Sequence, residues 1–336
     1  MQTNFLFPLI AEAYGIDLSW FLNGLQMDYF YLLLGFIILL ICGDLLVKSG
    51  VALSSHFRIS TLVTGVIIVS FGTSAPELVV SIGAALKDHP DIAVGNVIGS
   101  NISNIAMVLG LTAILIRIPV SKISVRFDWP FMMFASILFY IFIINGRLSF
   151  FEGFLFLTLL LIFIIWSLRK SRMELSRIQH VFEKARYSLF TAIILLIFSS
   201  AGLYLGATLL VEGAESIALR FGVSERVISV TIIAFGTSVP ELATSVMAAL
   251  KKQLDISIGN IIGSNIFNIF GILGVTSMIK TIPVSLEMKF DVCWMLAVSM
   301  LLLIFMLPYG RAVLNPWKGA VLLLTYISYI FIVFHY

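Results

Sequence analysis

The sequence has 336 residues, of which 60% are hydrophobic and 12% charged, and its mean hydropathy is +1.07. Soluble domains are about 45–50% apolar and about 25% charged, so this composition excludes a soluble enzyme and predicts an all-α integral membrane protein. The formal net charge of +3 is too small to indicate nucleic-acid binding. Two cysteines and four scattered histidines provide neither a disulfide framework nor a transition-metal site.

Ten apolar runs, each long enough to cross a bilayer, follow one another along the chain. A leader of unassigned role at 1–27 lacks the basic residues of a cleavable signal peptide. It precedes a first five-helix half at 28–168, a short basic loop at 169–186 and a second five-helix half at 187–336. The predicted spans are 28–49, 60–86, 92–115, 128–145, 150–168, 187–211, 224–250, 256–279, 290–307 and 316–334.

The basic residues are unevenly distributed between the two sides of these spans. Fifteen of the 21 Lys and Arg residues fall on the side that carries the loop at 169–186. The positive-inside rule therefore predicts a cytoplasmic loop and two external termini in a plasma membrane, the inner membrane of a bacterium.

The second half of the chain repeats the first. With an offset of 164 residues, the segment 71–110 aligns without a gap on 235–274 and is identical at 25 of 40 positions. Because each unit has five spans, the second copy must enter the membrane from the opposite side. Two inverted-topology repeats of this kind are typical of secondary transporters, whose substrate site lies between the halves. A duplicated membrane scaffold is the alternative, but the identities concentrate in polar residues that a scaffold has no reason to keep.

Each repeat places a carboxylate within a span, Glu77 in the motif GTSAPE and Glu241 in GTSVPE. A charged side chain at a helix centre costs about 2.5–3.5 kcal/mol on insertion scales, and no Lys or Arg lies at matching depth. Bound cations are the simplest partners. Proline lacks an N–H, so Pro76 and Pro240 free carbonyl oxygens around the preceding threonines. The neighbouring hydroxyls belong to Thr73, Ser74, Thr237 and Ser238.

A second motif, GNxxGSNxxN, follows in both repeats. Its serine and last asparagine are four residues apart and share a helix face, as in Ser100 with Asn104 and Ser264 with Asn268. The resulting set of oxygen donors suits a hard cation such as calcium. Helix packing through small residues and asparagine bonds between helices is the alternative, which we favour for the glycines.

The doubled motif resembles the two alpha-repeats of the sodium/calcium exchangers in the cation/calcium antiporter superfamily. The resemblance implies ten helices in two inverted halves, exchange of one calcium for about three sodium ions, and alternating access. It also implies an electrogenic cycle, since three sodium ions bring one more charge than one calcium. The loop at 169–186 is too short for regulatory domains, and the resemblance implies neither a cofactor nor a protein partner.

Carried over by motif position, the resemblance assigns a role to each candidate. Glu77 and Glu241 bind both ions, and the carbonyls of Thr73 and Thr237 bind calcium. Asn104 and Asn268 are amides, whereas potassium-dependent members use an acid in this region, which argues against potassium co-transport. One sodium site comprises Thr73, Ser74, Ser100 and the Ser70 carbonyl; the other comprises Thr237, Ser238, Ser264 and the Ala234 carbonyl.

Other functions remain open at this point. A calcium/proton antiporter of the same superfamily would have GNxxE around the acid, and another divalent cation could be exchanged because oxygen ligands separate these ions poorly. From a different class, an intramembrane enzyme would also need paired acids, but the sequence shows no catalytic motif. A cation channel would share the ligands but would not need inverted repeats.

Overall fold

The computed structural model describes residues 19–177, 185–223, 234–285, 288–307 and 312–335, and most of them are helical. Two short strand pairs lie at the ends of the helices. The helices are α1 (Ser19–Phe57), α2 (Thr61–Thr73), α3 (Ala75–Leu86), α4 (Pro90–Leu115), α5 (Ser124–Asn145), α6 (Phe150–Arg177), α7 (Leu189–Arg220), α8 (Ala234–Gly236), α9 (Val239–Leu250), α10 (Leu254–Ile279), α11 (Met288–Met306) and α12 (Pro316–His335).

These helices confirm a helical membrane protein. Among the described residues, eight helices are long and apolar enough to cross a membrane, and the bent pair α2 and α3 supplies a ninth span. The seventh predicted span, at 224–250, is described only in part, because residues 224–233 lie outside the described ranges and its remainder contains α8 and α9.

Two helices extend beyond the predicted spans. The predicted leader at 1–27 and the first span share one helix from Ser19, while residues 1–18 lie outside the described ranges. The loop predicted to begin at 169 is still helical through Arg177. The extension is stabilised by the Ser171 hydroxyl, which is buried and accepts a 2.7 Å hydrogen bond from the Ser60 N–H. Of the predicted loop, residues 178–184 are not described.

Helices α4 and α10, which carry the GNxxGSNxxN motifs, form the core. In the most apolar stretch of each helix, 83% of the residues are buried in α4 and 89% in α10, against 11% in α12 and 22% in α7. The outer helices therefore keep apolar faces exposed, as lipid-facing helices do. α1 and α7 pack closely against each other, since a Cβ added to Gly35 would lie 2.6 Å from the carbonyl oxygen of Gly206.

The strand pairs join the two halves reciprocally. β1 (Ile118–Pro119) pairs with β4 (Val313–Leu314), and β2 (Arg147–Leu148) pairs with β3 (Ile282–Pro283), both antiparallel. β1 and β3 follow the equivalent helices α4 and α10 in the two repeats. Each half thus lends a strand to the other, which is the arrangement that a two-fold relation between the halves produces.

Candidate cation-binding site

Each half contains a helix that is broken next to its acidic residue. The axes of α2 and α3 differ by 45°, and the break falls at Ser74, whose φ and ψ are −88° and 4°. Ser238 has nearly the same angles, −94° and 2°, between α8 and α9. Pro76 and Pro240 stand in the first turn of the following helix, where a missing N–H is tolerated but the preceding helix cannot continue.

The breaks place Glu77 and Glu241 in the first turns of α3 and α9. A helix N-terminus favours negative charge, which explains why a carboxylate is tolerated at this position. Both side chains are buried, 1% and 0% exposed, and the two carboxylates repel each other electrostatically. Their mutual repulsion and burial require compensation that the helix ends alone do not supply.

The buried oxygens around these carboxylates are under-bonded. Glu241 Oε1 accepts a 3.3 Å hydrogen bond from the Ser74 hydroxyl. Leaving buried polar atoms unpaired costs about 1–3 kcal/mol each, so a cluster of them indicates a ligand that accepts lone pairs. Within the described ranges the buried oxygens with no hydrogen-bond partner include Glu77 Oε1 and Oε2, Glu241 Oε2, Ser100 Oγ, Ser238 Oγ, Asn104 Oδ1 and Asn268 Oδ1.

The first half's threonine reaches across to the second half. The Thr73 hydroxyl lies 3.2 Å from Asn260 Oδ1 and 3.4 Å from the Ser264 hydroxyl, and all three residues are buried. The Ser70 carbonyl accepts hydrogen bonds from the Ser74 N–H at 2.9 Å and the Thr73 hydroxyl at 3.2 Å. Predicted ligands on α2 and α10 are therefore in direct contact.

The second half's counterparts are less completely described. Thr237 is half-buried beside the break, and Ser238 is fully buried. Ala234 begins α8, and its side chain lies outside the description. The structure thus brings predicted candidates of α2, α9 and α10 together, through the contacts of Thr73 with Ser264 and of Ser74 with Glu241. On α4, Asn104 reaches α10 through Asn265.

One side of the cluster is reached by a cavity of about 180 Å³ between the broken helices and α7. Glu77 and Thr237 lie along its wall, and the exposed Glu212 lies along it on α7. Glu212 belongs to the side that the basic-residue distribution predicts to be external. The remaining lining residues are Pro76, Val80, Tyr204, Ala207, Thr208, Val211, Gly236 and Pro240.

Sequence reasoning missed an additional pair of asparagines that supports the broken helices. Asn96 Nδ2 donates to the Ser81 hydroxyl at 2.9 Å and to the Glu77 backbone carbonyl at 3.1 Å. Its repeat equivalent, Asn260, donates to the Ser245 hydroxyl at 3.2 Å. The signal was present, because both asparagines and both serines are identical between the repeats.

Asp44 on α1 forms two ion pairs, one of them near the end of α9 that lies away from Glu241. Asp44 pairs with Lys48 at 2.6 Å, as the spacing of four predicts. Asp44 also pairs with Lys251 at 3.0 Å, beyond the end of α9. This contact joins α1 to the helix that carries Glu241.

In the described part of the chain, no group of three or more His, Cys, Asp and Glu residues could hold a metal. Glu77 and Glu241 are therefore the acidic pair of an otherwise neutral oxygen cluster.

The chain is similar to known membrane transporters over nearly its whole length. The family model described as sodium/calcium exchanger protein matches residues 27–169 and 191–335. The putative antiporter CaxA of Alkalimonas amylolytica is 35% identical over 312 residues, which cover 90% of this chain and 98% of CaxA. The sodium/calcium exchanger MaX1 of Methanosarcina acetivorans is 29% identical over 93% of this chain and 99% of its own length.

Solved structures show the same fold. A structure of the sodium-calcium exchanger NCX_Mj, soaked with zero Na⁺ and Ca²⁺, matches with a TM-score of 0.76 at 33% identity, covering 90% of this chain and 98% of that one. A second structure of NCX_Mj, soaked with 10 mM Na⁺ and 10 mM Sr²⁺, matches with the same TM-score. The matched lengths leave no room for an inserted regulatory domain in the compared region. The chain belongs to the sodium/calcium exchanger family.

Proposed function

We propose that this protein is a secondary active antiporter that exchanges calcium for sodium by alternating access, with about three sodium ions per calcium. The observation that carries the proposal is the pair of buried carboxylates, Glu77 and Glu241, whose oxygens are largely without protein donors. Around them lie neutral hydroxyl and amide oxygens, which are the ligands that sodium and calcium prefer.

The charges of the cluster suit this exchange. Two carboxylates neutralise one calcium ion, so the calcium-loaded cluster carries no net charge. Three sodium ions on the same two carboxylates leave one positive charge, and the cycle is therefore electrogenic. Burying two carboxylates with their bound ions costs far less than burying two bare carboxylates, so the alternating-access movement depends on bound ions.

We assign the ligands by motif and contact. Glu77 and Glu241 bind both ions, and the carbonyls of Thr73 and Thr237 bind calcium. The contact of the Thr73 hydroxyl with the Ser264 hydroxyl supports a shared oxygen cluster between the halves. The sodium ligands are Thr73, Ser74, Ser100 and the Ser70 carbonyl on one side, and Thr237, Ser238, Ser264 and the Ala234 carbonyl on the other. Asn104 and Asn268 contribute amide oxygens.

The proposed orientation puts both termini outside a plasma membrane and the loop at 169–186 in the cytoplasm. The cavity beside Glu77 then opens outward, and the Asp44–Lys251 ion pair lies on the cytoplasmic side. The exchanged ions are substrates, and the proposal includes no cofactor and no protein partner. Two similar proteins, MaX1 and NCX_Mj, are named as sodium/calcium exchangers, which supports the choice of ions.

The test is uptake of radiolabelled calcium into proteoliposomes loaded with sodium, compared with vesicles that have equal sodium on both sides. We expect uptake to need the outward sodium gradient and to be lost in Glu77→Gln and Glu241→Gln. Glu174→Gln is the matched control, since Glu174 lies on α6 and its carboxylate is 4.0 Å from the Lys170 ammonium. Uptake driven equally by a proton gradient without sodium would replace the proposal with a proton antiporter. Absence of calcium flux in the wild type would refute it.

A further inference from the structure

Four asparagines join α4 to α10 through a closed set of hydrogen bonds. Asn101 Nδ2 donates to the Asn265 backbone carbonyl at 3.4 Å, and Asn265 Nδ2 donates to the Asn101 backbone carbonyl at 3.2 Å. Asn104 Nδ2 donates to Asn265 Oδ1 at 3.1 Å, and Asn268 Nδ2 donates to Asn101 Oδ1 at 3.0 Å. All four side chains are at most 1% exposed.

The two backbone carbonyls fix the orientation of every amide in this set. A carbonyl only accepts, so the NH₂ group of Asn265 must face the Asn101 carbonyl. The Asn265 amide oxygen then faces Asn104, which must present its own NH₂ group. The same argument, started from the Asn265 carbonyl, runs through Asn101 to Asn268. Asn101 Nδ2 also donates to Met295 Sδ at 3.6 Å, and reversing the Asn101 amide would break this bond as well.

The network therefore leaves the amide oxygen of Asn104 and that of Asn268 without a hydrogen bond among the described residues. Asn104 Oδ1 and Asn268 Oδ1 are buried and have no hydrogen-bond partner in the described part of the chain. Ser100, one turn before Asn104, likewise has a buried and unpartnered hydroxyl. The unpaired atoms on this face of α4 are acceptors, as a cation site requires.

We propose that Asn101 and Asn265 are positioning residues, which hold Asn104 and Asn268 with the amide oxygen, and not the NH₂ group, toward the bound cation. The inference rests on the proposed function and deepens it. An NH₂ group turned toward the ion would replace a ligand by a partial positive charge. Fixed amide oxygens also add no charge of their own, so the two negative charges of Glu77 and Glu241 match those of one calcium ion.

The first test replaces the anchor of Asn104. In Asn265→Leu, the Asn104 amide has no acceptor for its NH₂ group and is free to turn it toward the site. We expect the calcium affinity of the purified transporter, measured by equilibrium binding of radiolabelled calcium, to fall 10- to 100-fold, the usual effect of removing a group that orients a metal ligand. Asn101→Leu should act in the same way through Asn268. Thr112→Val is the control, because Thr112 is buried in α4 and its hydroxyl bonds only to the Val108 carbonyl among the contacts described.

A second substitution separates positioning from packing. Aspartate at 104 has oxygen on both sides, so its orientation does not matter. We therefore compare the effect of Asn265→Leu in two backgrounds, and we expect it to lower the calcium affinity of the wild type but to have little further effect in Asn104→Asp. Contacting residues show such an interaction energy in a double-mutant cycle, and the comparison cancels the charge that aspartate adds. Thermal unfolding and gel filtration establish that each variant is folded.

The outcomes are distinct. A calcium affinity that is unchanged in folded Asn265→Leu and Asn101→Leu would overturn the positioning role. So would an Asn265→Leu substitution that lowers the calcium affinity by the same factor in the wild-type and Asn104→Asp backgrounds. A wild type that binds calcium but does not exchange it for sodium would instead refute the proposed function and leave the positioning argument standing.

Discussion

The hydroxyl of Ser74 donates a 3.3 Å hydrogen bond to Oε1 of Glu241. Ser74 stands at the helix break of the first half, and Glu241 begins the helix after the break of the second half. The break that positions one carboxylate therefore also holds the other. Because both residues are buried, this bond couples the two halves at the place where the ions are proposed to bind.

We expect Ser74→Ala to lower the rate of sodium-dependent calcium uptake about tenfold at subsaturating calcium, since a hydrogen bond to a charged group contributes about 1.5–3 kcal/mol. The loss should appear mainly as a higher apparent KM, because Glu241 remains present but less well oriented. Ser199→Ala is the control: Ser199 is buried in α7, and its hydroxyl bonds to backbone carbonyls of its own helix. An unchanged KM in Ser74→Ala would show that the bond does not orient the carboxylate.

The paired carboxylates should destabilise the ion-free protein. We expect Glu77→Gln and Glu241→Gln to raise the unfolding temperature in a chelator, because each removes a buried negative charge that repels its neighbour. In the wild type, calcium at a hundred times its dissociation constant should add about 2.7 kcal/mol of stability. In the variants, calcium should add far less. Equal calcium-dependent stabilisation of wild type and variants in a thermal melt would place the binding site elsewhere.

Much of the fold could be predicted from the sequence, because hydropathy is sufficient to locate membrane spans and an odd number of spans per repeat dictates inversion. The helix ends could not be predicted. α6 continues through Arg177 since Ser171 hydrogen-bonds to the start of α2, a contact 111 residues away in the chain. Residues 169–177 are mostly polar, so hydropathy does not indicate that the helix continues, and the contact that stabilises it there is tertiary.

The candidate site, too, could be predicted from the sequence only in part. Glu77 and Glu241 stand out in sequence because an intramembrane acid is costly, and their neighbours follow from helical spacing. The supporting asparagines do not stand out, since Asn101 and Asn265 act through bonds that cross between α4 and α10. Identity between repeats marks these positions as important but does not distinguish an ion ligand from a residue that orients one.

The close contact between α10 and α2 gives a prediction about packing. A Cβ added to Gly263 would lie 2.2 Å from the carbonyl oxygen of Val66, a backbone atom that cannot move without shifting α2. We expect Gly263→Ala to cost about 3 kcal/mol of stability, at the upper end of overpacking substitutions. Gly271→Ala is the control on the same helix, since its Cβ would lie 3.4 Å from the side chains of Leu160 and Phe267. Thermal unfolding that ranks both variants equally would contradict the backbone contact.

A surface ion pair between the two halves predicts a dependence on acid and salt. The Lys280 ammonium donates a 2.6 Å hydrogen bond to Asp88, and this bond lowers the pKa of the Asp88 carboxyl below its usual value. A lowered pKa contributes stability above the unfolded-state value of about 3.9, and the contribution is lost as the pH falls through the folded-state value. The unfolding temperature of the wild type should therefore exceed that of Lys280→Met above about pH 4, and the difference should shrink in more acidic buffer and in about 1 M salt. Lys87→Met, which removes an exposed lysine next to Asp88, is the matched control and should show no such trend. A difference between wild type and Lys280→Met that stays constant from neutral to acidic pH would mean that the pair does not contribute to the folded state in solution.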